Sequence, residues 1–541
     1  MSAAAQSSEL PTRADAAPEI ERHEERGWAV AALAAFALVI GAYFSFRYAG
    51  RWSDSDTSVM AAAIRAVIRG QALVPIQDEL YPNGYLFAIV STFLVAFTGV
   101  DVATLLQALF PLVSASLVII AWPLYRELTG SARGATIATI LLLVQPEFLF
   151  VILRGSHERI LRALLFVAML LLVRGFRTAH MPRIQASYIL LFYLTTYGVI
   201  ATNSLFGSSF IWALAVALLM SLTAAWISPG LRQAATITRQ RLVYAPIFCS
   251  LLVFLFGAYL YPPSGQALNQ LPDIASKLQR LLLTTDQEQS ISSTFVAYDP
   301  YASIFEQWVD PRLYLALSIG TYSLMLGSAI VWIRLGLFWL ASKRETPTMG
   351  QWFLWTFYAA FALQGALGIV ADRSGSLGGN LQYRAFPSFV MVATPVVAIF
   401  LAELRPKPRL RMLLAAGLGV LTFVAVVKAT NEPTISNKWT FYVPGEMAAA
   451  TFANNHLRDR VFWSDIDERL FTAYVVTSDK YAYQVIGGFA NYVRTFLVTD
   501  VTRLRAARTG KPLPPVFGEL RVYDNGEAQI YRRRPQTPYQ D

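Results

Sequence analysis

Apolar segments long enough to cross a bilayer recur along nearly the whole chain, and short basic loops fill every second gap between them. A hydrocarbon core of ~30 Å asks for about 20 apolar residues per helical span, because lipid offers the backbone no hydrogen-bond partners. Runs of this kind fall at 28–46, 104–125, 134–152, 159–173, 184–202, 207–226, 243–261, 311–333, 351–370, 385–403 and 410–428, about eleven in all. With 541 residues, 55% of them hydrophobic and 15% charged, the chain carries more apolar surface than one soluble core can hide. Its mean hydropathy is +0.43. The expected fold class is mainly α: a polytopic transmembrane helix bundle of about eleven spans with a small extracytoplasmic α/β domain at the C-terminus.

The net charge of +10 does not point to nucleic acid, because the Lys and Arg residues sit in the short loops. Arg126 and Arg133, then Arg174, Arg177 and Arg183, then Arg232, Arg239 and Arg241, then Arg334, Lys343 and Arg344, and finally Arg405, Lys407, Arg409 and Arg411 occupy alternate gaps. All fall on the side of Arg22 and Arg26, so the N-terminus is expected in the cytoplasm, the C-terminus outside, and the protein in the plasma (inner) membrane. Residues 1–26 lack the basic start of a secretory signal and are expected to form a disordered cytoplasmic tail. The single Cys249 excludes a disulfide framework within the chain.

Residues 27–430 form the expected membrane module, with outer loops 47–103, 262–310 and 371–384. The run Leu86–Phe97 is too short to span, and counting it as a span would place the basic loops outside. It is expected to lie in the interface, as is Thr57–Gly70, whose Val59, Ala62, Ala63, Ala66 and Val67 share one face. Leu271–Leu283 reads as a further amphipathic helix. From 431 to 541 charge rises and alternating segments such as Arg460–Trp463 and Glu519–Tyr523 appear, the latter followed by the hairpin signal Asp524-Asn525-Gly526.

Four groups of residues in the outer loops carry chemistry. Asp54 and Asp56 follow the first span directly, where bilayer crossing calls for no acid. Asp54 is the candidate catalytic base for an acceptor hydroxyl, and Asp56 a candidate metal ligand, although an acid just before a helix can also serve as its N-cap. His157 and Glu158, in the turn before the fourth span, complete a candidate site for Mg, Mn, Ca or Zn, against the plainer reading that Glu158 complements a helix dipole. Tyr81, Asn83 and Tyr85 flank Pro82 and Gly84 and can contact a sugar or acceptor, or anchor the loop at the interface. Arg384, Arg373, Lys277 and Arg280 are candidates for a lipid-borne phosphate, with anionic lipid contact as the alternative. No Walker loop or dinucleotide fingerprint is present, and Ser156 beside His157 lacks a third triad partner.

The order cytoplasmic N-terminus, acidic pair after the first span, long outer loop with two membrane-lying helices, then a second acidic turn resembles the GT-C glycosyltransferases. Here those positions read Asp54-Ser55-Asp56, Tyr81-Pro82-Asn83-Gly84-Tyr85 and His157-Glu158. The resemblance is to the group of protein O-mannosyltransferases, lipid A aminoarabinose transferases and oligosaccharyltransferases. It implies a polyprenyl-phosphate sugar donor, an outward-facing cavity, inversion at the anomeric carbon and Asp54 as base or metal ligand. The family's second site usually leads with Asp, whereas this chain has His157-Glu158. Partners on this reading are the lipid-linked donor, membrane lipids and a glycan, lipid or protein acceptor. The alternatives are block transfer from a lipid-diphosphate donor and, ranked lower because the spans carry few ionisable residues to line a path, a non-enzymatic glycolipid transporter.

Overall fold

The computed structural model describes residues 13–48, 55–70, 83–114, 116–227, 229–262, 311–341, 346–373, 381–404, 407–431, 442–457, 462–463, 485–486, 495–509, 513 and 520–532. Helix α1 (Arg13–Tyr48) leads into two short helices, α2 (Ser55–Ile68) and α3 (Leu86–Thr98). The chain returns through Val102–Thr129, which contains a π-helical turn at Leu105–Leu109 and ends in α4 (Ser116–Thr129). There follow α5 (Ala132–Leu143), α6 (Pro146–Leu153), α7 (Glu158–Arg177), α8 (Pro182–Thr202), α9 (Ser204–Ile227), α10 (Pro229–Leu242) and α11 (Tyr244–Leu255). Beyond the second large loop come α12 (Pro311–Ala341), α13 (Met349–Arg373), α14 (Leu381–Glu403) and α15 (Pro408–Asn431).

Among the described residues, nine helices are long and apolar enough to cross a membrane; the chain is a multi-pass membrane protein. Two of the expected spans differ from simple crossings. The run 134–152 is the bent pair α5–α6, turned by 76°; Pro146, at the first turn of α6, has no N–H to extend α5. The run 159–173 is α7, too charged to face lipid but well buried by its neighbours. The interior therefore holds ionisable residues that the apolar reading did not anticipate: Arg162, Glu147 of α6 and Lys428 of α15, the last two within electrostatic reach of each other. Residues 13–26, expected to be disordered, are helical as the start of α1. The expected helix Leu271–Leu283 lies outside the described residues, while those at Thr57–Gly70 and Leu86–Phe97 are α2 and α3.

Local chemistry sets the boundaries. Gly99 ends α3 with a left-handed φ of 70°, its N–H reaching Val95 O. Asp101 then opens the next span by accepting from Thr104 N at 3.0 Å. Gly130 turns with φ 74°, and Ser131 Oγ caps α5 by accepting from Gly134 N at 2.9 Å. One hydrophobic core runs through α1, α4–α9, α11 and α13–α15. Within it the buried Tyr125 of α4 donates to Met391 O of α14 at 3.0 Å and meets Phe166 of α7 edge-on at 5.7 Å.

Because successive spans alternate in direction, the end of α1, the start of α7, the α8–α9 junction, the start of α14 and the end of α15 share one end of the bundle. Beyond α15 stand α16 (Pro444–His456), α17 (Asp500–Thr509) and a mixed five-stranded sheet of order β2-β1-β3-β5-β4. The strands are β1 (Phe462–Trp463), β2 (Val485–Ile486), β3 (Thr495–Thr499), β4 (Leu520–Asp524) and β5 (Ala528–Arg532). The β4–β5 hairpin turns at Asp524-Asn525-Gly526, with Gly526 at φ 89°. Tyr442 and Ala450 of this region are buried in the same cluster as Met60, Ile64 and Phe87 of α2 and α3.

Candidate functional site

Among the described residues, the turn between α6 and α7 gathers several buried charged side chains. Arg154, Ser156, His157, Glu158, Arg159 and Arg162 are each 9% exposed or less. Burial on this scale requires partners, since a lone charge away from water is costly. Arg154 Nη2 donates to Glu158 Oε1 at 2.5 Å, one helical turn away. Arg162, His157 and Arg384 lie within electrostatic range of the same carboxylate. Arg159 bends back to donate to the main-chain oxygens of Leu153, at 2.7 Å, and Arg154. It thereby satisfies carbonyls that the end of α6 would otherwise leave open. Its guanidinium also lies over the Phe110 ring at 5.3 Å.

His157 is oriented by the next helix junction. Asn203 Oδ1 accepts from the N–H groups of Leu205 and Phe206 at 3.0 and 3.3 Å, capping α9. The Asn203 amide NH₂ is thereby turned toward His157 Nε2, at 2.9 Å. It follows that Nε2 accepts, so the proton of the neutral ring is on Nδ1.

The turn also touches α2, the helix that begins between the two residues of the acidic pair. A Cβ on Gly155 would lie 2.6 Å from Thr57 Cγ2, 2.9 Å from Thr57 Oγ1 and 3.2 Å from Leu106 O. Gly155 is thus the small residue that lets the start of α2 and the π-helical turn close on the α6–α7 turn. Thr57 is fully buried there and follows Asp56 directly. Asp56 itself is the second residue of α2. Asp54 lies outside the described residues, as do Lys277, Arg280 and Tyr81.

Of the remaining candidates, Arg384 is an exposed residue in the first turn of α14, and Arg373 is the last residue of α13. Asn83 docks through its main chain, its O accepting from Ser204 N at 2.8 Å. Gly84 lets that loop press on the end of α8, where an added Cβ would meet Ala201 O at 2.5 Å. Tyr85 packs among Phe256 and Tyr261 at 5.5 and 5.6 Å and shares a 2.7 Å hydrogen bond with Tyr197 Oη. Its ring anchors the loop before α3 to α8 and the end of the α11 span.

The candidate metal set is described only in part, since the Asp56 side chain lies outside the described residues. Glu158 already faces guanidinium groups and His157 Nε2 is taken by Asn203. Among the described residues no three His, Cys, Asp or Glu side chains gather closely enough to hold a metal. Among the described residues, guanidinium groups outnumber carboxylates around Glu158, which suits an anion.

Sequence reasoning passed over Arg154, Arg162 and Asn203. Arg162 had a readable signal: a charge within an apolar run calls for a buried partner. Asn203 had a weaker one, a lone amide between two spans.

No protein-family model and no curated protein matches the sequence. Among solved structures, the chain is similar to the Archaeoglobus fulgidus oligosaccharyltransferase tethered with an acceptor peptide containing the NVT sequon. That match has a TM-score of 0.50 at 11% identity and covers 83% of this chain and 63% of that one. The same oligosaccharyltransferase in the apo form matches with a TM-score of 0.47 at 11% identity, covering 83% of this chain and 64% of that one. ArnT from Cupriavidus metallidurans in the apo state matches with a TM-score of 0.43 at 13% identity, over 94% of this chain and 99% of that one. The chain thus spans just under two thirds of the length of the oligosaccharyltransferase. The fold is similar to that of this oligosaccharyltransferase, over 83% of the chain.

Proposed function

We propose that this chain is an inverting membrane glycosyltransferase, moving a sugar from a polyprenyl-phosphate donor to an acceptor hydroxyl on the outer face of the membrane. The observation that supports this reading best is the contact of Gly155 with Thr57. It joins the helix start that follows Asp54 and contains Asp56 to the buried turn of Glu158, within electrostatic range of Arg384.

In this reading Asp54 takes the proton of the acceptor hydroxyl as its oxygen attacks the anomeric carbon. The bond from that carbon to the phosphate oxygen breaks on the opposite face, and the lipid phosphate leaves with the electron pair. Arg384, with Arg373, Lys277 and Arg280, holds the phosphate and offsets its growing charge. Glu158 keeps the surrounding guanidinium groups ordered through Arg154. Tyr81, Asn83 and Tyr85 hold the loop that borders the acceptor. No nucleotide is required, in keeping with a sequence that has no nucleotide-binding loop.

The test is transfer by purified protein from a panel of undecaprenyl-phosphate and undecaprenyl-diphosphate sugars, with and without chelator. Asp54→Asn should cut transfer by about 10²–10⁴-fold, the range for a positioned general base. Wild-type transfer by that variant would overturn the assignment. A preference for the diphosphate donors would move it to block transfer.

A further inference from the structure

Arg162 is the least expected charge in the bundle. It sits one turn beyond Glu158 in α7, fully buried, where the apolar run would place another leucine. Its guanidinium lies over the Phe206 ring of α9 at 4.7 Å. Its polar contacts go to α14: Nη1 donates to Ser388 Oγ and Nη2 to Arg384 O, the latter at 3.4 Å.

The place of those contacts matters. Pro387 lies inside the first two turns of α14, so one backbone N–H of that region is absent. A helix start interrupted in this way is free to bend. Arg162 reaches it on both sides of the proline, at residues 384 and 388. The same guanidinium is within electrostatic range of Glu158. One side chain therefore links the acidic turn of α7 to the segment of α14 that carries Arg384.

We propose that Arg162 is a positioning residue for anion binding: it fixes the start of α14 so that the Arg384 side chain meets the donor phosphate. The inference rests on the phosphate role of Arg384 stated above. Arg162 acts through the α14 main chain and Ser388 and does not touch the phosphate. A planar guanidinium suits the task, since it bonds two acceptors at once while stacking on Phe206, whereas a lysine ammonium cannot do all three.

The experiment measures binding of undecaprenyl phosphate by the full chain in zwitterionic nanodiscs, with phosphatidylglycerol as the control anion. Arg384→Met should weaken binding about tenfold or more, as loss of a charge-assisted contact does. Arg162→Met should weaken it by a similar factor, Arg162→Lys by less, and Ser388→Ala by about threefold. The deciding variant is the double R162M/R384M. If Arg162 works through Arg384, the double binds no more weakly than R384M alone. Losses that multiply in the double overturn the positioning role and leave the phosphate reading of Arg384 intact. Wild-type affinity in R384M overturns that reading and this proposal with it. Equal losses for phosphatidylglycerol overturn both, since the cluster would then be a general anion surface. Should R162M fail to fold, S388A with S388A/R384M repeats the same comparison without a buried charge being removed.

Discussion

Helix α7 carries Arg–Glu clusters at both ends, and they behave as opposites. At its start Arg154 and Glu158 pair at 2.5 Å with side chains 11% and 8% exposed. At its end Arg174 pairs with Glu127 of α4 at 3.4 Å while 39% exposed, and Arg177 reaches the same carboxylate while 60% exposed; Glu127 itself is 14% exposed, so water reaches these pairs from the arginine side. The residue types are the same; the dielectric is not. At the exposed end water and salt screen the pair, so little depends on its geometry. At the buried end each charge must have a partner, so the arrangement is fixed and a new anion would feel an ordered field. The opposite end of the bundle uses its other arginines in a similarly modest way. Arg133 donates to Leu404 O at 2.6 Å and Arg241 to Phe176 O at 3.1 Å, each beside a helix C-terminus.

The contrast between the two ends can be broken experimentally. The largest effect should come from Glu158→Gln, which leaves Arg154 and Arg162 facing a neutral group. Removing one partner of a buried pair typically destabilises by about 3–5 kcal/mol, so thermal unfolding should drop sharply along with transfer. An unchanged melting temperature would mean that the turn is wetter than its burial implies. Gly155→Ala comes next, at about 1–3 kcal/mol, because its Cβ would overlap Thr57. Adding Thr57→Ala removes both Thr57 atoms in the way and should recover most of the loss of stability and transfer. Absence of recovery would cut the link between α2 and the turn. Asn203→Ala removes the α9 cap and the partner of His157 Nε2, for about 1 kcal/mol. Proton and nitrogen NMR of the His157 ring should show its tautomer preference lost. Glu127→Gln at the exposed end should change stability by less than about 1 kcal/mol and leave transfer untouched. A large loss there would erase the distinction between the two ends.

Much of this architecture was readable from single residues. The nine spans, the bent pair and α7 correspond one for one with the apolar runs, because a lipid environment forces helical hydrogen bonding on any apolar run of sufficient length. Asp524-Asn525-Gly526 marked its hairpin because few other sequences tolerate the turn. His157 and Glu158 stood out as charge at a span boundary. The misses share a cause. Arg162 was absorbed into an apolar run, and Arg154 was given no role, because hydropathy averages over neighbours in sequence and not over neighbours in space. Tyr85 was read as a sugar contact or a loop anchor, and the partners that hold its ring, Phe256 and Tyr261, are remote in sequence.

By itself, then, the sequence determined where the long apolar helices fall and which of the segments between them carry acids. Those properties depend on local hydrophobicity and local turn chemistry. Only the tertiary structure decided that Gly155 would meet Thr57, that Asn203 would orient His157, and that Arg162 would tie α7 to α14. Each of these is a contact between helices, set by how apolar faces pack and by the need to pair every buried charge, and such pairings have no signature in the spacing of residues along one chain.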